Sequence, residues 1–264
     1  MLGLGDKVAV ITGSTDAIGR TIALKLAGEG VKVIVSGRSA PKGRSVVDEI
    51  ERDGGQAFFV QADVGVYEQM VSLVDQSIDR FGDVDIMIAS TGGAPPSRTT
   101  GRYFNQANID ELTSSTASYL ANRLNPIRAV LDHMIERQSG SMIMLTSEGG
   151  RFPTAGQVGM ALGSGGIVMA TKTIAKELLR WHIRLNTISI SLTDNTPIKR
   201  AHDAQMAADT EDRPKYFDKV IARSPFGLAT PEDIAEAAAF LASDSARMLT
   251  GVTLSPTGGL TFPP

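Results

Sequence analysis

Thr12-Gly13-Ser14-Thr15-Asp16-Ala17-Ile18-Gly19 is the stretch of this chain best suited to holding a phosphate. Glycines at such spacing let the backbone turn sharply and approach a pyrophosphate, whose charge is met by the N-terminus of a following helix. Position 17 is alanine. If the loop needs a positive φ there, the methyl costs on the order of 1 kcal/mol. A strand-to-helix turn without a ligand is the plain structural alternative. Farther along, Ser147 closes the apolar run from Ser141 and offers a hydroxyl, although a serine ending a buried strand equally serves a local backbone group. Tyr119 places a phenol on a long helical segment, where packing is the ordinary use of an aromatic ring. Arg38 follows a second apolar run and suits either a phosphate or solvent.

Together these residues resemble the short-chain dehydrogenase/reductase family, and the likeness runs from the first strand through Thr250-Gly251 and Gly258-Gly259. The loop is similar to the family's Thr-Gly-x-x-x-Gly-x-Gly, with Ala17 at the middle glycine. The resemblance implies cofactor contacts from Gly13, Ser14, Thr15, Ile18 and Gly19, from Asp63 and Val64 at the end of the third strand, and from Gly92 and Thr196. Gly37 stands where members preferring NAD place an acidic residue, so Arg38 implies NADP over NAD. In active members a tyrosine phenol exchanges a proton with the reacting oxygen, a lysine lowers its pKa from about 10, a serine polarises the carbonyl and an asparagine holds a relay water. Here the Tyr-x-x-x-Lys positions fall on Met160 and Ser164, Ser147 keeps the serine's place and Tyr119 takes the asparagine's. Ala89-Ser90-Thr91-Gly92 replaces Asn-Asn-Ala-Gly, Ile190-Ser191 replaces Pro-Gly, and Thr257-Gly258-Gly259 lacks the usual aspartate.

The elements that must position these residues alternate regularly, with β-rich runs followed by helical patterns. Strands are expected at Lys7 to Thr12, Val31 to Ser36, Ala57 to Ala62, Val84 to Ser90, Ser141 to Ser147, Ile183 to Ser189 and Gly251 to Pro256. Helices are expected near Ile18 to Glu29, Gly43 to Asp53, Tyr67 to Phe81, Ile109 to Arg137, Gly156 to Arg180 and Pro231 to Ser243. This is an α/β chain: one Rossmann-type doubly wound domain over residues 1–264, with a seven-stranded parallel sheet flanked by helices. The stretches 92–106 and 199–223 read as mobile segments rimming a site. Gly163, Gly165 and Gly166 weaken the helix near Gly156 to Arg180, and close approach to another helix is the expected reason.

Net charge is −3 with both signs mixed, so a basic groove for nucleic acid and a polybasic membrane anchor are not expected. With no cysteine and three scattered histidines, neither a disulfide framework nor a metal site is expected. The N-terminus has no basic leader with a long apolar run, and a cytoplasmic location is the expectation.

Positioned proton transfer is worth about 10²- to 10⁴-fold, and Met160 has no proton to give. The leading expectation is a non-catalytic subunit paired with an active homologue, as among some dehydrogenases of hydroxyacyl thioesters, and otherwise a homodimer or homotetramer. Two alternatives stand beside it. One is an active NADP-linked reductase using Tyr119 or Ser147, and the other is a non-redox enzyme or ligand sensor in the same cleft.

Overall fold

The structure, a computed structural model, describes residues 2–91, 103–207 and 215–261. Seven strands form one parallel sheet in the order β3-β2-β1-β4-β5-β6-β7. They are β1 (Val8–Thr12), β2 (Lys32–Gly37), β3 (Gln56–Gln61), β4 (Ile86–Ala89), β5 (Gly140–Ser147), β6 (Ile183–Ile190) and β7 (Thr253–Leu254). The central runs, such as VAVIT in β1, are apolar throughout because helices cover both faces of the sheet. Alternate residues serve the two layers. Ile11, Val35, Ile88 and Leu145 face one way, toward α1 (Ala17–Gly28), α2 (Ala40–Arg52) and α8 (Pro231–Ala242). Val10, Ile34, Met87 and Met144 face the other, toward α3 (Tyr67–Phe81), α4 (Ile109–Arg137) and α5 (Val158–Leu178).

Strand order reverses between β1 and β4, so the loops leaving those strands part and leave a crevice at their carboxyl ends. The opposite end of the sheet is pinned by charge. Asp85 accepts from the Val8 amide at 2.8 Å and from Arg137 at 2.9 Å, while Arg137 also meets Asp83 at 2.8 Å. A depression of about 490 Å³ lies there, and its Lys7, Asp83, Asp85 and Arg137 are already in ion pairs within the protein.

Three expectations change. The stretch 199–223, read as a mobile rim, contains most of α6 (Pro197–Ala207) and all of α7 (Lys215–Ala222), with 208–214 outside the described residues. The closing strand is only Thr253–Leu254, and β4 stops at Ala89. Of the other rim, 92–102 lies outside the described residues, while Phe104–Gln106 is a short 3₁₀ turn.

Of the α5 glycines, Gly163 serves close approach to α4, Gly165 faces the turn at Gly150, and Gly166 would make only an ordinary contact. A Cβ on Gly163 would lie 2.7 Å from Tyr119 Cδ1 of α4, and one on Gly166 would lie 3.4 Å from Leu120 Cδ2. Val158–Trp181 is long and apolar enough to cross a membrane, yet it lies along α4, β5 and β6 with Ile167, Thr171, Ala175 and Leu178 buried. It is a core helix whose outer face keeps Leu162 and Met169 exposed.

Candidate functional site

The loop after β1 forms the phosphate end of the crevice. Ser14 is fully buried and ties the loop to β2: its hydroxyl donates to Ile11 O at 2.6 Å and accepts from the Ser36 amide at 2.9 Å. Thr15 lies over Gly37, where an added Cβ would come 2.8 Å from Thr15 Cγ2. An acidic side chain at position 37 therefore needs Thr15 to move, which gives the missing aspartate a steric reason. Gly19 is obligatory, since a Cβ there would lie 2.3 Å from the Gly13 carbonyl oxygen. Ala17 sits at φ +43°, so the middle position of the loop does require the left-handed region and the methyl is strained.

Asp16 caps α1. Its carboxylate accepts from the Ala17 amide at 2.8 Å and from Lys42 Nζ at 2.8 Å, and Arg200 Nη2 of α6 stands 3.9 Å away. The hydrogen bond from Lys42, helped by the Ala17 amide and the Arg200 charge, holds this carboxyl below the ordinary aspartate range despite some burial. The amides of Ile18 and Gly19 have no acceptor among the described residues. Two open donors at the positive end of a 12-residue helix suit a phosphate group, so the pyrophosphate half of a dinucleotide fits this loop.

The remaining residues expected at this end divide. Arg38 is exposed, and no ion pair holds it among the described residues. Asp63 turns back onto the Gly65 amide at 2.9 Å, and Val64 is buried. Thr196 caps α6 locally, donating to Thr193 O at 2.8 Å and accepting from the Lys199 amide at 3.3 Å. Gly92 lies outside the described residues.

At the chemical end, Ser147 accepts from the Gly149 amide at 3.2 Å and so starts a 3₁₀ turn, Glu148–Gly150. A Cβ on Gly149 would lie 3.2 Å from Met160 Cβ, 3.4 Å from Gln157 Oε1 and 3.6 Å from Ser147 Oγ. Met160 Cβ and Ser147 Oγ therefore both lie close to Gly149, and the Met160 side chain packs against the core. Tyr119 does not open into the crevice. It is 5% exposed, and its hydroxyl shares hydrogen bonds with Ser164 Oγ at 2.9 Å and Thr146 Oγ1 at 3.1 Å. Tyr119, expected in one reading as the acid at the site, is instead closed upon Ser164 and Thr146, which nothing in the spacing of the three indicates.

Two partners went unread. Arg123, one helical turn after Tyr119, stacks 3.5 Å from its ring centroid and donates to Leu145 O at 2.7 Å and Tyr119 O at 3.0 Å. Burial pushes its pKa below the usual arginine value, and no carboxylate pairs with it among the described residues. Its signal was a lone cation on a helix face that otherwise packs against the sheet. Glu148 is buried and accepts from Ser255 Oγ at 2.6 Å and Thr261 Oγ1 at 3.0 Å, which ties the end of β5 to the segment after β7. No local pattern announces a pairing between positions 107 apart.

A family model described as Enoyl-(Acyl carrier protein) reductase matches residues 13–261. The chain is 35% identical to 3beta-hydroxysteroid dehydrogenase 1 of Eggerthella lenta, over 99% of this chain and 96% of that protein. It is 30% identical to a 3-oxoacyl-(acyl-carrier-protein) reductase of Staphylococcus epidermidis, over 97% and 99%. Among solved structures, a 7alpha-hydroxysteroid dehydrogenase complexed with NADH and 7-oxo glycochenodeoxycholic acid superposes with a TM-score of 0.83 at 27% identity, covering 98% of this chain and 95% of that one.

The geometry makes two substitutions informative. Ala17→Gly relieves the positive-φ strain and should add about 1 kcal/mol, raising Tm in a thermal melt by about 2–4 °C; an unchanged or lower Tm contradicts the strain. Ser164→Lys forces an ammonium into the space under Tyr119, near the Arg123 charge, and should cost about 3 kcal/mol or more. Pairing it with Tyr119→Asn should recover much of that loss in the same melt, and a Ser164→Lys protein as stable as wild type would show that the space is not filled.

Proposed function

The chain belongs to the short-chain dehydrogenase/reductase family, and from that premise we propose that it is a non-catalytic subunit supporting an active homologue in a hetero-oligomer. The observation that carries this reading is the closed cluster of Tyr119, Ser164 and Thr146, with Met160 and Ser147 both close to Gly149. Standard turnover needs a phenol at the crevice and a cation to tune it. This chain has a thioether in the first place and a neutral hydroxyl, already bonded, in the second.

The family uses NAD(P), and a bound dinucleotide supplies or accepts hydride in its active members. In this chain the amides of Ile18 and Gly19 would hold the pyrophosphate, and exposed Arg38 favours NADP at the adenosine ribose. A dehydrogenase of hydroxyacyl thioesters is the partner class we favour, in keeping with the acyl-carrier-protein reductase among the relatives. The outer face of α5 supports a partner surface: Leu162 and Met169 are 51% and 61% exposed, two turns apart, with exposed Gly166 between them allowing close approach.

An active NADP-linked reductase is the second reading, and it draws on Arg38 and on Ser147. Tyr119 would have to act as the acid, and its hydroxyl is enclosed by two others. Purification of the tagged chain from its native host should bring down a second family member carrying Tyr-x-x-x-Lys in stoichiometric amount, identified by mass spectrometry. The chain alone should show no carbonyl-dependent NADPH or NADH oxidation. A homo-oligomer with such oxidation would overturn the proposal.

A further inference from the structure

Asp16 stands among three groups of the kinds that proteins use to bind a phosphate. A helix amide donates to it at 2.8 Å, an ammonium from α2 donates at 2.8 Å, and a guanidinium from α6 stands at 3.9 Å. Lys42 and Arg200 form no other ion pair among the described residues, although Arg200 also donates to the Asn195 carbonyl oxygen at 2.7 Å. They come from elements that border the loop on different sides, α2 after β2 and α6 after β6. The carboxylate is fully charged at neutral pH, since its surroundings hold it below the ordinary aspartate range.

We propose that Asp16 is an internal anion seated in the phosphate subsite of this cleft, and that Lys42 and Arg200 are latent ligands for the phosphates of a dinucleotide. A pyrophosphate reaching the open amides of Ile18 and Gly19 meets a fixed negative charge and two cations already engaged. Binding then requires that Lys42 and Arg200 turn from the carboxylate to the phosphate, and the repulsion that remains lowers affinity. Because all three side chains are partly exposed, the competition weakens as salt rises. The inference rests on reading Thr12 to Gly19 as a nucleotide-phosphate loop, but it concerns binding alone and is independent of whether the chain turns over or has a partner.

Asp16→Asn is the decisive variant, because asparagine is as good a helix N-cap as aspartate and the charge alone is removed. Calorimetric titration of wild type and Asp16→Asn with NADPH and with inorganic pyrophosphate should show at least tenfold tighter binding of both to the variant at low salt. The gain should shrink at high salt, and adding Lys42→Met and Arg200→Met to Asp16→Asn should weaken binding of both ligands, because the freed cations then serve the phosphate. Equal or weaker binding by a folded Asp16→Asn protein overturns the proposal, as does unchanged binding when Lys42 and Arg200 are both removed from that variant. Failure of either protein to bind pyrophosphate or NADPH overturns it too, and leaves the non-catalytic reading standing.

Discussion

The hydrogen bond between the Tyr119 hydroxyl and Ser164 Oγ, 2.9 Å long and buried between α4 and α5, is the constraint on which the chemical end of this molecule depends. It exists because three other positions permit it. Gly163 leaves room for the ring, Ser164 is short enough to leave room for the hydroxyl, and Thr146 on β5 supplies a second polar neighbour at 3.1 Å. Arg123 stacks on the ring and satisfies Leu145 O. Tyr119, Ser164, Thr146 and Arg123 therefore form one packed unit. A satisfied buried polar cluster of this kind fixes one arrangement of its members, whereas a half-satisfied one is costly.

The two ends of the crevice have therefore diverged in different ways. At the chemical end Tyr119, Ser164 and Thr146 close upon one another, while Met160 and Ser147 both lie close to Gly149. At the phosphate end the loop keeps the turn at Gly13 and the tight contact at Gly19, tolerates strain at Ala17, and adds the charge of Asp16. The scaffold between them is intact: seven parallel strands, both faces covered, with the order reversal at β1 and β4 that places the crevice. A chain released from all selection would not be expected to keep alternate residues of every central strand sorted so cleanly between two layers.

Much of this was legible from local pattern. The apolar runs and glycine spacing located the strands and the loop, and Ala17 stands out as a position where positive φ would strain a methyl. What escaped has a common cause, since it depends on which distant side chains meet. The helix α6 carries charges and weak apolar spacing that resemble a loop, and α7 is amphipathic but only eight residues long. Arg123 reads as a surface cation, and nothing nearby indicates that β4 ends at Ala89 and leaves Leu145 O for it to cap. Glu148 finds its partners across more than a hundred residues. Asp16 was visible in the loop, but its engagement by Lys42 and Arg200 needed three elements brought to one place.

A double-mutant cycle at Tyr119 and Ser164 tests the central claim most directly. Denaturant unfolding of wild type, Tyr119→Phe, Ser164→Ala and the double variant yields the interaction free energy of the two hydroxyls. The account predicts a coupling of about 1 kcal/mol or more in favour of the pair, within the range found for contacting residues in one hydrogen-bond network. Additive losses, with a coupling near zero, would mean that the two side chains are not joined and that the chemical end of the crevice is open after all.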